Sequence, residues 1–163
     1  MADMDHVSKI LAQWNRERPD LDVGPMGVLG RITRLRALLA QAIDAELAKH
    51  GLSRSSFDVL ATLRRSGAPY RLSPGELLAT TMVTSGTMTN RIDQLEKAGL
   101  VERQNNPEDR RGVIIALTEK GFATVDAAVT AHVANQHRLI AALSQEERKA
   151  LDSLLEKFLS ALE

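Results

Sequence analysis

Apolar residues recur at three- and four-residue steps along most of this chain, and one short β-branched run interrupts them. The pattern predicts a mainly α protein with a small β-hairpin. Val7, Ile10, Leu11 and Trp14 share a face of a first helix over 4–16, which Pro19 and the acidic PDLD stretch end. GPMG then opens a long helix over 26–49, with Val28, Ile32, Leu35, Leu39, Ile43 and Leu47 apolar and Gly51 as its stop. Ser53 caps a third helix that carries Phe57, Leu60 and Leu63 and ends near Gly67. Ser73-Pro74-Gly75-Glu76 reads as a capping box with proline at the first helical position, and opens a short helix through Leu77 and Leu78. A tight connection near 80–84 leads to a helix over 85–97, with Met88, Ile92 and Leu95 on its inner face.

Beyond Ala98-Gly99 the pattern changes period. Residues 100–103 extend, VIIAL at 113–117 is a run of strand length, and the loop 104–112 between them is too polar to bury. The last third is helical again, with Phe122, Val125, Val129, Val133, Ile140 and Leu143 along one face. A second capping box, Ser144 to Glu147, restarts the chain before Leu151, Leu154, Leu155, Phe158, Leu159 and Leu162. Helix, turn, helix, strand, charged loop and returning strand is the layout of a winged helix-turn-helix, an α+β winged helix. The flanking helices offer more apolar surface than so small a core covers. Pairing of two chains through both chain ends accounts for that surplus and suits a palindromic operator; packing within one chain is the alternative.

Bulk composition narrows the picture less. The length of 163 residues suits one domain with extra helices, and 44% apolar content argues against disorder. The 21 Lys and Arg balance 21 Asp and Glu, so net charge gives no support for nucleic-acid binding. The balance is local, however: 31–71 holds eight basic and three acidic residues, whereas 118–163 holds five and seven. The absence of cysteine excludes disulfides and thiolate metal sites and suits a cytoplasmic location. No signal-peptide pattern is seen, and no apolar stretch approaches the roughly 18 residues a membrane span needs. His6, His50, His132 and His137 have no metal-ligand spacing, and no phosphate loop or nucleophile elbow is present, so neither a metal, a cofactor nor an enzyme is expected.

On the helix over 85–97 the outer side presents Ser85, Gly86, Thr87, Thr89, Asn90 and Gln94. Short hydroxyl and amide side chains suit a major groove, since they bond base edges and phosphates without obstructing approach. In the loop, Pro107 stiffens the tip, Arg110 and Arg111 supply cations, and Asp109 is placed to orient Arg111. A guanidinium in a narrow minor groove meets enhanced negative potential. The other reading of both segments is a solvated helix face and a solvated turn.

LEKAGLVER followed by NPEDRRGVIIALTEKG resembles the signature of MarR-type transcriptional regulators, and the likeness covers nearly the whole chain. The resemblance implies a homodimer with intertwined terminal helices that binds a double-stranded, pseudopalindromic operator, usually as a repressor released by a small anionic ligand. It also implies Arg111 as the minor-groove residue of the wing, with Asp109 as its support. One domain, 1–163, is then expected: an added N-terminal helix (1–18), dimerisation helices (26–50 and 118–163) and the winged helix-turn-helix (53–117).

The added N-terminal helix with its tryptophan resembles the urate-responsive subgroup of PecS and HucR. That resemblance implies Trp14, Asp58 in SFDVLATL, Arg91 in TNRID and Arg103 in GLVER as ligand residues. The chemistry is coherent: arginine supplies planar cationic donors to a urate-like anion, and a tryptophan face packs against a flat heterocycle. Asp58 paired with an arginine would be the state without ligand. Phenolic acids such as salicylate are the alternative effectors, and a protein-interaction module without DNA readout is the alternative use of the winged helix.

Overall fold

Short polar side chains set most helix starts in this chain. In the computed structural model, which describes residues 4–81, 85–106 and 112–163 and not the side chains of Ser85 and Gly86, the chain forms two units, Met1–Ala42 and Ile43–Glu163. Seven helices and three strands run in the order α1(His6–Glu17), α2(Gly24–Ala48), α3(Arg54–Arg65), β1(Arg71–Leu72), α4(Pro74–Thr80), α5(Ser85–Lys97), β2(Val101–Asn105), β3(Val113–Leu117), α6(Glu119–Leu139) and α7(Gln145–Ser160) among the described residues. Among them no helix is long and apolar enough to cross a membrane.

In the first unit, α1 starts at His6 and not at residue 4 because Asp5 is its cap, accepting from the Ser8 amide at 2.7 Å. The same carboxylate accepts from Arg31 Nε of α2 at 2.9 Å, and Arg31 Nη2 donates to Ser8 Oγ at 2.8 Å. Chiefly through Arg31, Asp5 is held at a pKa of about 2. The first turns of α2 fit closely against α1: a Cβ on Gly30 would stand 3.2 Å from Val7 Cγ1, and one on Gly27 3.1 Å from Leu11 Cδ1. The three-residue spacing of these glycines thus serves helix packing.

The second unit holds the main core. Leu47, Val59, Leu60, Leu63, Leu77, Ile115 and Val125 are fully buried, with Met88, Ile92 and Leu95 of α5 beside them. Each buried aliphatic side chain of this kind contributes about 1.5–3 kcal/mol. The expected capping boxes at Ser73 and Ser144 are both present. A polar staple joins α3 to α6: Arg64 Nε donates to Asp126 at 2.9 Å, and its guanidinium lies 4.6 Å from the Phe122 ring centroid and 5.3 Å from that of Tyr70.

The sheet has three antiparallel strands in the order β1-β3-β2, one more than the expected two-stranded wing. In β1 Arg71 pairs with Ala116 and Leu72 with Ile115. β2 and β3 pair from Val101↔Leu117 to Asn105↔Val113, so β2 runs two residues past the expected extended segment. α7 differs from the other long elements in having no buried residue, although Leu151, Leu154, Leu155, Phe158, Leu159 and Leu162 follow one another along it and its end.

Candidate nucleic-acid interface

α5 is anchored on one side and open on the other. Met88, Ile92 and Leu95 are each 3% exposed within the core, while Thr87, Thr89, Asn90 and Gln94 are exposed. The helix ends in a Schellman turn, with Gly99 at φ 71°, the Leu100 amide donating to Leu95 O at 2.9 Å and the Gly99 amide to Glu96 O at 2.9 Å. Ser85 and Gly86 open the helix, and their side chains lie outside the described residues.

The start of α6 grips this same helix end. Thr118 caps α6 by accepting from the Gly121 amide at 2.9 Å, and its own hydroxyl donates to Gly99 O at 2.7 Å. Its amide donates to Leu100 O at 3.2 Å, and Lys120 Nζ to Ala98 O at 2.8 Å. Three successive carbonyls left over at the end of α5 and its turn therefore find donors in one segment, Thr118 to Lys120. Gly121 lies so close to Leu100 that a Cβ would fall 1.8 Å from its carbonyl oxygen. The LTEKG segment thus has a physical role that sequence reasoning passed over: it seats α5 on α6. The signal was there, in a threonine cap followed three residues later by glycine.

Arg103, on β2, binds the opposite side of α5. Its guanidinium donates to Asp93 through Nη2 and to Glu96 through Nη1, and its amide donates to Glu96 Oε1 at 3.3 Å. The bond to Asp93 raises the Arg103 pKa above its ordinary value, with Glu96 adding to it. Arg91 Nη1 donates to Gln94 Oε1 at 2.7 Å and to Ser56 Oγ at 3.2 Å; its Nε is buried without a partner among the described residues. Among the described residues Asp58 forms no salt bridge with an arginine. The carboxylates within reach of Arg103 are those of α5, and Arg91 meets α3 at Ser56, two positions before Asp58.

Asp58 instead borders a cavity of about 830 Å³ in the second unit, together with Asp44, Arg54, Phe57, Arg65, Thr80 and His132. Trp14 belongs to the first unit, on an exposed part of α1, 43% accessible. In the wing, the strands close toward the tip through the Asn106 amide donating to Gly112 O at 2.9 Å. The candidate residues Asp109, Arg110 and Arg111 lie outside the described residues.

A buried-backed helix with hydroxyl and amide groups outward, next to a two-strand wing, is the geometry of a winged helix-turn-helix. The sequence matches the MarR family model over residues 50–112. It is 44% identical over 155 residues to the HTH-type transcriptional regulator PecS of Dickeya dadantii (strain 3937), covering 95% of this chain and 93% of that one. The chain belongs to the MarR family. Solved MarR-family structures share the fold. AbsC, a MarR family transcriptional regulator from Streptomyces coelicolor, matches with TM-score 0.77 and 27% identity over 87% of this chain and 96% of that one. A mutant MarR from E. coli, complexed with operator DNA, matches with TM-score 0.70 and 26% identity over 90% and 97%. These relatives are transcriptional regulators and not enzymes, and the MarR-family chain described here is a DNA-binding regulator of that kind.

Proposed function

We propose that two copies of this MarR-family chain bind a pseudopalindromic operator as a repressor, and that a small anionic ligand such as urate releases it. The observation that carries the reading is α5: its apolar side is locked in the core while Thr87, Thr89 and Asn90 face outward. With Ser85 and Gly86 at its N-terminus, that face enters the major groove, and Arg110 and Arg111, supported by Asp109, follow the adjacent minor groove. The duplex is the partner, and neither a metal, a cofactor nor turnover of a bound purine is part of the activity. A gel shift with the DNA upstream of the coding sequence, at two salt concentrations and with or without urate, tests the whole reading. Release of the shifted band by urate is the expected result. Release by salicylate alone moves the effector to the phenolic acids, and no shifted band at low salt removes the operator.

The homodimer rests on α7. A helix with no buried residue, carrying Leu154 at 65% and Leu159 at 57% exposure, is unstable in water unless another surface covers it. A second copy, using the same face, is the symmetric solution. Sedimentation should give a dimer near 36 kDa, about twice the 17.9 kDa chain. Leu154→Glu with Leu159→Glu should give a monomer or an aggregate that no longer shifts operator DNA; an unchanged dimer would place the interface elsewhere.

For the effector, Asp58 is the residue whose surroundings fit best, because it borders a cavity. Arg91 is part of α5 and Arg103 is bound to Asp93 and Glu96 of α5, so a ligand that engages either acts on the reading helix itself. Trp14, exposed on α1, is the remaining ligand candidate that the family resemblance implies. Titration with urate should change Trp14 fluorescence, and Arg91→Ala should abolish the change. A flat titration at millimolar urate is the result that ends the urate reading.

A further inference from the structure

A single guanidinium ties the wing to the reading helix. β2 is an edge strand of the sheet, and side chains alternate along it, so Val101, Arg103 and Asn105 share one face. Val101 is buried, whereas Arg103 and Asn105 are exposed. The apolar core therefore stops after the first residue of that face, and beyond it β2 meets α5 through charge. Arg103 donates to Asp93 through Nη2 and to Glu96 through Nη1, and its amide donates to Glu96 Oε1 at 3.3 Å. Among the described residues no other cation forms a salt bridge with either carboxylate.

This clamp differs from a phosphate contact. One cation facing two carboxylates leaves the cluster with a net negative charge, which the duplex repels. Asp93 follows Thr89 by four residues and Asn90 by three, so it borders the face proposed to enter the major groove. The clamp also spans a turn. Between Glu96 and Arg103 the chain passes through Gly99 at φ 71°, and a contact across such a turn sets the angle between the elements it joins. The side chains of Arg103, Asp93 and Glu96 are 35%, 50% and 38% exposed, and ion pairs this open to solvent add little to global stability. Their consequence lies in geometry.

We infer that Arg103 is a positioning residue for operator binding: by gripping Asp93 and Glu96 it sets the angle between α5 and the β2–β3 wing, and with it the spacing of the major-groove and minor-groove contacts, without touching the duplex. The inference deepens the proposed operator reading and rests on it. Two linked elements reinforce each other's binding only where geometry lets both engage at once. A wing that swings about Gly99 must be ordered on the duplex, and that ordering costs affinity. The operator then loses part of what the wing contributes, while α5 keeps its own contacts. Lysine is no substitute, because one ammonium lacks the planar fork that holds two carboxylates in fixed directions. This role belongs to the protein without ligand.

The test uses the full chain and its upstream DNA, without ligand. Gel shift reads affinity, hydroxyl-radical cleavage reads the minor groove, and dimethyl sulfate reads guanine N7 in the major groove. Arg103→Lys should bind about tenfold more weakly, with an unchanged melting temperature. It should lose minor-groove protection and keep major-groove protection. Arg110→Ala should weaken wild type severalfold and Arg103→Lys hardly further, whereas Asn90→Ala should cost the same factor in both. Arg103→Gln combined with Asp93→Asn and Glu96→Gln removes the clamp without leaving bare carboxylates, and should lose minor-groove protection as well. Three results each overturn the inference and leave the operator reading standing: equal affinity of Arg103→Lys and wild type, full protection by the triple variant, or a lowered melting temperature with both protections lost together. If wild type shifts no upstream DNA at low salt, both are overturned.

Discussion

Replacing Gly121 with alanine is expected to destabilise the protein by about 3 kcal/mol, near the upper end of the usual cost of overpacking. The added Cβ would lie 1.8 Å from Leu100 O and 2.8 Å from Leu100 C. Both are backbone atoms, so no rotamer change relieves the clash. The first turn of α6 must lift away from α5, and lifting it lengthens the bonds from Thr118 to Gly99 O and Leu100 O and from Lys120 to Ala98 O. Operator affinity should therefore fall further than the lost stability alone accounts for, because the carbonyls released belong to the end of the reading helix and its turn. Denaturant unfolding, with a gel shift at a temperature where the variant is fully folded, separates the two effects. Thr118→Val removes the cap and the Gly99 bond without any clash, and should cost about 1 kcal/mol. A Gly121→Ala variant as stable as wild type would contradict the close approach of α6 to Leu100.

How far the sequence discloses the fold depends on the range of the signal. Both capping boxes, the bounds of α5 at Ser85 and Lys97, and the strand Val113–Leu117 are as expected, and each is a local pattern. β1 was not foreseen because two residues carry no period; it exists through pairing with Ala116 and Ile115, more than forty residues away in the sequence. The Arg64–Asp126 staple is equally non-local. Among the candidate site residues, Arg103 illustrates how partners are misjudged. Asp93 and Glu96 lie three apart on one face of α5, a ready-made carboxylate pair for a cation on the next strand. The family resemblance drew attention to Asp58 instead. The contact of Arg65 with Thr80 was hidden for the same reason, since the two come together only when α3 and α4 pack.

The balance of 21 basic and 21 acidic residues makes the salt response of operator binding the most discriminating measurement on the intact protein. A neutral chain gains little long-range steering, because that depends on the summed field. Counterion release depends instead on how many cations touch phosphate, so it persists at zero net charge. If the proposed dimer makes about three phosphate contacts per protomer, about six in all, the log-log slope is about −5, and affinity falls about a thousandfold between roughly 50 and 200 mM salt. Arg110→Ala removes one cation from each protomer and should flatten that slope by about 1.8, two times the value of about 0.9 per contact. Asn90→Ala should behave differently. Asn90 lies on the exposed face of α5 and carries no charge, so its loss should cost about 1–3 kcal/mol on the operator and leave the slope unchanged. A wild-type slope near zero, or an Asn90→Ala variant that changes slope as Arg110→Ala does, would mean that α5 and the wing do not divide base reading and phosphate contact between them.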